Sequence, residues 1–154
     1  MTATNHALTG AVIALAVKQP MLAVPLAFVS HFILDAIPHF GIHEDDHTKR
    51  NSHWLFRTVI SIDTVLAVTM MITIPLLASE TISWWVILLG MLAGIAPDSI
   101  WIYRFIRSMR NKLVRPYGRV AKFHQDIQWS EKPWGLSVEV AWVIASLVTI
   151  SLLS

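Results

Sequence analysis

Apolar residues occur along this chain in long blocks separated by short polar segments. Three blocks cover residues 55–77, 82–103 and 134–153, and each contains no more than two charged residues. A helix needs roughly 20 predominantly apolar residues to cross the hydrocarbon core of a bilayer. The pattern therefore predicts three transmembrane helices, one in each of these blocks.

The first forty residues contain two shorter apolar runs. Residues 8–17 are apolar but too short to cross a bilayer comfortably, and residues 21–37 are interrupted by three polar side chains. Pro20 follows the break between the runs, and proline is favoured at the first position of a helix. We therefore predict a short helical hairpin, which completes an all-α integral membrane bundle of about five helices.

The composition supports this interpretation. Apolar residues make up 55% of the 154 residues and charged residues only 14%, whereas about a quarter of a soluble domain is charged. The length suits a single domain over residues 1–154. The chain has no cysteine, which excludes disulfides and thiolate metal ligands.

Basic residues predict the orientation of the bundle. Eight of the twelve Lys and Arg residues lie in the connection formed by residues 104–133. The positive-inside rule places this connection in the cytoplasm, and alternation along five helices then places the N-terminus there too. We expect a multi-pass protein of the inner (cytoplasmic) membrane. Because topology already explains the basic residues, no nucleic-acid partner is expected.

Ionisable residues are concentrated on one side of this predicted bundle. The stretch "SHFILDAIPHFGIHEDDH" (residues 30–47) holds four of the seven histidines and four of the ten acidic residues. Ionisable residues within membrane segments are functional by default. Under the predicted topology, the same layer also receives side chains from other segments: His6, Asp63, Asp98, His124 and Glu139.

The residue types in this layer suit a metal ion. His31 and Asp35 are four residues apart and so lie on one helix face, and imidazole and carboxylate groups are ligands of zinc and related ions. Asp35 could bridge two ions through its two oxygens. Pro38 should end the helix near residue 37, and the turn that follows would let His39 or His43 return to the ion.

Two backbone features point to a close helix contact and a cavity beside this layer. Gly10 lies one turn after His6, a spacing that would let another helix approach the histidine closely. Pro97 should break the fourth helix and free the Ala93 carbonyl next to Asp98. Irregular backbone at membrane depth is tolerated where it lines a cavity.

Short motifs resemble two known groups of metal enzymes. "HFILDAIPH" resembles the H-F-x-x-D…P-x-H segment of the zinc-dependent phospholipase C and S1/P1 nuclease superfamily, in which the His and Asp bind zinc and the Asp bridges two ions. "TATNHALTG", "SHFILD" and "APDS" resemble motifs of the LexA-regulated family of bacterial inner-membrane metal-dependent hydrolases. The resemblance covers about a third of the chain. It implies the ligands His6, His31, Asp35 and Asp98, and more loosely His39 or His43.

Together these observations predict a zinc-dependent hydrolase, although another divalent metal is an alternative. We expect one to three ions held among His6, His31, Asp35, His39, His43, Asp98 and His124. Asp98 or Glu139 would be a ligand or the base that acts on the attacking water. Zinc lowers the pKa of its water to about 7 and polarises a phosphoryl oxygen. The expected substrate is a phosphoester, such as a phospholipid or lipid phosphate, at the cytoplasmic face of the bilayer.

Two other function classes remain open at this stage. A metal-ion or proton transporter could use the same polar layer as a relay, although the outer half of the predicted helices offers few polar residues. A non-enzymatic membrane adaptor could carry a structural metal site, and it would tolerate substitution of Asp98 and Glu139. The sequence does not indicate an oligomeric state.

Overall fold

The computed structural model describes residues 1–41, 54–78, 80, 82–100 and 118–154. Within these ranges the chain is almost entirely helical, as predicted. The helices are α1 (Ala3–Val17), α2 (Pro20–Ala36), α3 (Trp54–Leu77), α4 (Trp84–Ile95), α5 (Gly118–Ile127) and α6 (Gly135–Leu153), and a single 3-10 turn (Ala96–Asp98) follows α4. Two short strands, β1 (His39–Phe40) and β2 (Glu131–Lys132), pair in parallel.

The predicted N-terminal hairpin is present. Helix α1 ends at Lys18, whose backbone adopts the left-handed conformation (φ 58°) and whose N–H donates to the Ala14 carbonyl. Helix α2 begins directly at Pro20, as the sequence predicts. It ends before Ile37, because the residue preceding Pro38 is restricted to an extended conformation.

Helix α1 is the centre of the fold and contacts α2, α3, α4 and α6. Its inner residues Leu8 and Leu15 are fully buried against Ile87 and Met91 and other apolar side chains. A Cβ atom added to Gly10 would overlap the carbonyl group of Gly90 on α4. The close helix approach predicted at Gly10 is thereby confirmed, and it places α4 directly beside His6.

Two of the described helices, α3 with 24 residues and α6 with 19, are long and apolar enough to cross a bilayer. Helices α1, α2 and α4 are apolar but shorter. Large apolar side chains on α3 and α6 point outward rather than into the protein, among them Val65, Ile72 and Leu76 on α3 and Val140, Ile144 and Val148 on α6. These two helices therefore present extended apolar surfaces.

The segment after α4 differs from the simple connection that the sequence predicts. Its described part contains helix α5, and the following strand β2 pairs with β1 so that His39 lies opposite Glu131. The sequence gives little signal for two-residue strands, since they have no periodicity. The pairing fixes the chain beyond Ile37 against the start of α6, where a Cβ on Gly135 would overlap the His39 backbone.

Candidate metal centre

Asp35 lies at the centre of the polar layer and is completely buried. Its Oδ1 contacts the N-terminal ammonium of Met1 and lies 3.1 Å from His6 Nε2. Its Oδ2 lies 3.2 Å from His31 Nε2 and 2.9 Å from His124 Nε2. One carboxylate thus faces a different set of nitrogen atoms with each of its two oxygens.

Three separate elements bring four potential ligands together. Helix α2 presents His31 and Asp35 one turn apart, α5 supplies His124, and the 3-10 turn at Pro97 supplies Asp98. Asp98 Oδ1 lies 3.7 Å from the Nε2 atoms of both His31 and His124. One ligand atom from each of the four lies within 4.8 Å of all the others, so this group could hold a metal ion.

Hydrogen bonding determines which nitrogen of His31 is available as a ligand. The Nδ1 of His31 lies 2.7 Å from the Gly94 carbonyl, which can only accept, so Nδ1 carries a proton. In the neutral ring, Nε2 then carries a lone pair and faces Asp35 Oδ2 and His124 Nε2, the latter at 2.9 Å. Metal-binding histidines are usually oriented by such a bond from the other ring nitrogen.

The spacing within the group is compatible with a bound metal ion. Five contacts among the four residues, those of His31 and His124 with each other and with the two carboxylates, range from 2.9 to 3.7 Å, and tetrahedral sites with metal–ligand bonds of about 2.0–2.1 Å have edges of about 3.3–3.4 Å. Asp98 is 21% exposed, whereas the side chains of the other three are at most 1% exposed. The group is therefore buried on all sides except the one where Asp98 lies.

His6 reaches the same carboxylate from the other side. Its ring stacks on that of His31 at 3.9 Å between centroids, with 20° between the planes. Its Nε2 faces Asp35 Oδ1 rather than the oxygen that His31 and His124 share. The structure therefore brings this predicted ligand to the centre but outside the group of four.

Two further carboxylates in the layer bind the backbone at the start of α1. Asp63 accepts hydrogen bonds from the N–H groups of Ala3 (2.9 Å) and Thr4 (3.0 Å), and Glu139 accepts from Thr2 (3.0 Å). The first N–H groups of a helix have no partner inside the helix, and negative charge is favourable there. Of the ionisable residues expected to converge, His31, Asp35, Asp98 and His124 form one group, whereas Asp63 and Glu139 bind the start of α1.

The remaining predicted residues are placed differently. His39 is buried, and its Nδ1 donates to the Ile37 carbonyl at 2.8 Å, outside the group of four. Burial lowers the pKa of His39 to about 4, so its ring is neutral near pH 7. Glu139, considered above as a base, also accepts from the Phe40 N–H at 3.3 Å. His43 lies outside the described residues.

Three residues that contact the centre were missed by sequence reasoning. The Met1 ammonium contacts Asp35 Oδ1, Gly94 supplies the carbonyl that orients His31, and the Gln128 amide lies 3.3 Å from Asp35 Oδ2. Pro97 did indicate a free carbonyl nearby, but it pointed to Ala93 rather than to the next residue. No local signal marks Gln128, because its position depends on how α5 packs against α2.

An apolar pocket of about 170 Å³ opens beside the centre. Its walls come from α2, the 3-10 turn and α5: Phe28, Phe32, Ala96, Pro97, Ile100 and Val120, together with Ser99 and His124. His124 thus belongs both to the potential metal ligands and to the pocket wall. The pocket therefore adjoins the centre at His124.

Comparison of the chain with protein-family models, with curated proteins and with solved structures finds no match. The geometry itself is distinctive: His31, Asp35, Asp98 and His124 are buried together and could hold a metal ion. Either a metal ion or protons must lie between these atoms, since facing lone pairs and carboxylate oxygens repel one another.

Proposed function

We propose that this protein is a membrane-embedded, metal-dependent hydrolase with zinc at His31, Asp35, Asp98 and His124. Its substrate would be a phosphoester such as a phospholipid or lipid phosphate at the cytoplasmic face. One observation carries the proposal: His31 Nε2, in a ring oriented by the Gly94 carbonyl, faces Asp35 at 3.2 Å and His124 at 2.9 Å. The motif resemblance described above agrees with this assignment.

The ligand set favours zinc over harder ions. Two imidazoles and two carboxylates combine nitrogen and oxygen donors, which suit zinc, whereas magnesium and calcium prefer oxygen ligands alone. When bound, zinc acts as a Lewis acid toward a phosphoryl oxygen and lowers the pKa of its water. Asp35 Oδ1 faces His6 at 3.1 Å and contacts the Met1 ammonium, so a second ion within the expected range of one to three would have to displace that ammonium.

The side chains of the centre would have different tasks. Asp98 is the most exposed of the four ligand candidates, so it is the carboxylate best placed to take a proton from an attacking water. Glu139 is already held by two backbone N–H groups, and we therefore assign the base role to Asp98. His31, Asp35 and His124 would then hold the ion, and the fourth position beside Asp98 would stay open for water. Arg119 and Lys122 are exposed on α5 and would attract an anionic headgroup.

We further propose a multi-pass location in the inner (cytoplasmic) membrane. Helices α3 and α6 have the length and outward apolar surface for lipid contact. Helices α1, α2 and α4 would complete an integral bundle of five, in which α1 is shielded by its neighbours. The basic residues at 104–133 favour a cytoplasmic connection, and this places the N-terminus and the metal centre on the cytoplasmic side.

Elemental analysis of detergent-purified protein tests the metal. We expect at least one zinc per chain in the wild type and a near-complete loss in Asp35→Asn and His124→Gln. Asp126→Asn is the matched control, because Asp126 is exposed on the same helix as His124 and should leave the zinc content unchanged. A metal-free wild type, after purification without chelators and with zinc added back, would show that the metal assignment is wrong.

Activity is tested on the same proteins with a panel of lipid and water-soluble phosphoesters. We expect zinc-dependent hydrolysis by the wild type, and a loss of roughly 100-fold or more in Asp98→Asn, as is typical when a general base is removed. Bound zinc without hydrolysis of any phosphoester would instead support an adaptor with a structural metal. Absence of both would leave the polar layer as a proton relay or a set of helix contacts.

A further inference from the structure

Helix α5 has three chemically different faces. Ala121 and His124 point inward and are buried. Val120 and Phe123 form an apolar face toward the outside, where they are 64% and 54% exposed. The third face is charged and exposed, with Arg119, Lys122 and Asp126. A helix with adjoining apolar and basic faces typically lies in the plane of a membrane surface, with its apolar side in the acyl region.

Helix α5 contributes residues of both its outward and its inward face to the apolar pocket beside the centre. Val120 and His124 form one wall, and Phe28 and Phe32 of α2 form the opposite wall. The Phe32 ring packs edge-on against both His31 and His124, at centroid distances of 5.4 and 5.8 Å. The pocket is therefore lined by one potential metal ligand, His124, and by the Phe32 ring that packs against a second one, His31.

Building on the proposed function, we propose that this pocket receives the hydrocarbon chain of a membrane lipid whose phosphoester lies at His124. Helix α5 would form the outer wall of the pocket at the membrane surface. The substrate class is then an amphiphile in which the chain begins close to the phosphate. A water-soluble phosphoester would leave the pocket unused.

The size and chemistry of the pocket select a chain rather than a headgroup. About 170 Å³ equals roughly the volume of five or six water molecules, which is room for several methylene groups. Desolvating a polar headgroup against Phe28, Phe32 and Ile100 would be unfavourable, because these walls offer no hydrogen bonds. Arg119 and Lys122 lie on the same helix and complement the negative charge that such a lipid carries.

Photocrosslinking tests the pocket without relying on turnover. The zinc-loaded protein is placed in vesicles of phosphatidylcholine and phosphatidylglycerol, with a phosphatidylglycerol probe that carries a diazirine in its acyl chain. Mass spectrometry maps the crosslinks. We expect them at residues 28–32 and 96–100, and a reduction of roughly tenfold when Val120→Trp fills the pocket, comparable to discrimination in apolar sites.

Val65→Trp is the matched control, because Val65 is 65% exposed, close to the 64% of Val120, but lies on α3 outside the pocket. Zinc content and thermal stability show whether each variant is folded. Ala96→Leu fills the same pocket from the 3-10 turn and replaces Val120→Trp if that variant does not fold. Equal crosslinking in the control and filled variants, or crosslinks spread evenly over all exposed apolar surfaces, would overturn the proposal.

Measurements of kcat/KM for substrates of different chain length distinguish failure of the lipid pocket from failure of the proposed hydrolase function. If the wild type hydrolyses lipid phosphoesters, kcat/KM should be lower for short-chain than for long-chain substrates, and Val120→Trp should remove this preference. Equal kcat/KM for all chain lengths would overturn the pocket while leaving the hydrolase intact. Pocket crosslinks with bound zinc but no hydrolysis would overturn the hydrolase and leave the lipid pocket standing.

Discussion

Asp35 is the residue that contacts the largest number of ionisable groups in the polar layer. A buried carboxylate is unfavourable unless hydrogen bonds and opposite charges compensate for its lost hydration. Asp35 contacts the Met1 ammonium, His6, His31 and His124. The nitrogen atoms beside its two oxygens therefore compensate for the hydration that Asp35 loses on burial. Replacing Asp35 would leave several buried polar groups without a partner.

Asp63 is expected to stabilise the fold rather than to act in chemistry. Asp63→Ala leaves the N–H groups of Ala3 and Thr4 without their acceptor, which should cost about 2–3 kcal/mol. We expect the midpoint of thermal unfolding in detergent, followed by tryptophan fluorescence, to fall by about 5–10 °C, with zinc content maintained. Thr64→Ala, at an exposed neighbouring position, should change the midpoint little. Equal effects of the two substitutions would contradict the capping role.

His39 should make stability depend on pH. Its folded pKa is about 4, below the value of about 6.5 in an unfolded chain. Between these values the unfolded state binds more protons, so the free energy of unfolding falls as pH decreases from about 6.5 to about 4. Well above pH 6.5 His39 is neutral in both states, so the protein keeps its full stability with respect to this residue.

The test compares the wild type with His39→Gln at pH 7 and pH 5. At pH 5 the contribution of His39 amounts to at most about 2 kcal/mol, so the wild type should lose more stability than the variant between these two pH values. Taking the difference between the two proteins removes the effect of the other histidines. Parallel unfolding midpoints at both pH values would show that His39 does not titrate in this way.

At the scale of elements, the contact between α1 and α4 sets the position of the centre. Added Cβ atoms would bring Gly10 and Gly90 into conflict with each other, and Gly94 into conflict with the His6 carbonyl. This close approach aligns the start of α1 with the end of α4. It thereby brings His6 beside His31, which the Gly94 carbonyl orients.

Gly90→Ala should therefore separate α1 from α4. Overpacking of a tight contact costs about 1–3 kcal/mol, and we expect a lower unfolding midpoint together with weaker zinc binding. Leu89→Ala is the control, since Leu89 is the preceding residue on α4 and is 41% exposed. Zinc affinity measured by competition with a chelating dye distinguishes the two variants. An unchanged zinc affinity in Gly90→Ala would mean that the helix contact does not position the centre.

Helix α5 shows where sequence reasoning stopped at the level of elements. The basic residues at 104–133 indicate topology first and attraction of anionic headgroups second, and neither interpretation predicts the apolar face formed by Val120 and Phe123. What could not be predicted is that α5 packs on α2 through Phe123 and His124, because a contact between helices distant in sequence leaves no local pattern.

For the whole molecule, the centre joins elements that are distant in sequence. His31 and His124 are separated by 93 positions, and a metal ion bound between them would connect α2, the 3-10 turn and α5. A ligand that binds only the folded state stabilises it, by about 2.7 kcal/mol at a concentration 100 times its Kd.

Zinc should therefore raise the unfolding midpoint of chelator-treated protein by several degrees. Asp35→Asn should show no such rise, whereas Asp126→Asn should respond like the wild type. Calcium or magnesium at the same concentration should have a much smaller effect, because both prefer oxygen ligands. A midpoint in the wild type that is independent of zinc would contradict a metal site that spans these elements.

The sequence by itself determined the features that depend on neighbouring residues. The apolar blocks indicated the helices, Pro20 and Pro38 marked the two ends of α2, Gly10 marked a close contact, and His31 and Asp35 were placed on one face by their spacing. These features were predictable because helix periodicity, proline geometry and glycine size act locally. The convergence of ionisable residues followed from the predicted order of the helices.

Only the tertiary structure decided which of these polar residues meet. It joined His31 and Asp35 to Asp98 and His124, assigned Glu139 to the start of α1, and left His39 outside the group of four. Each of these outcomes depends on the rotation and depth of one helix against another. A shift of one residue along a helix turns a side chain by about 100°, and the sequence pattern of apolar positions does not define packing that finely.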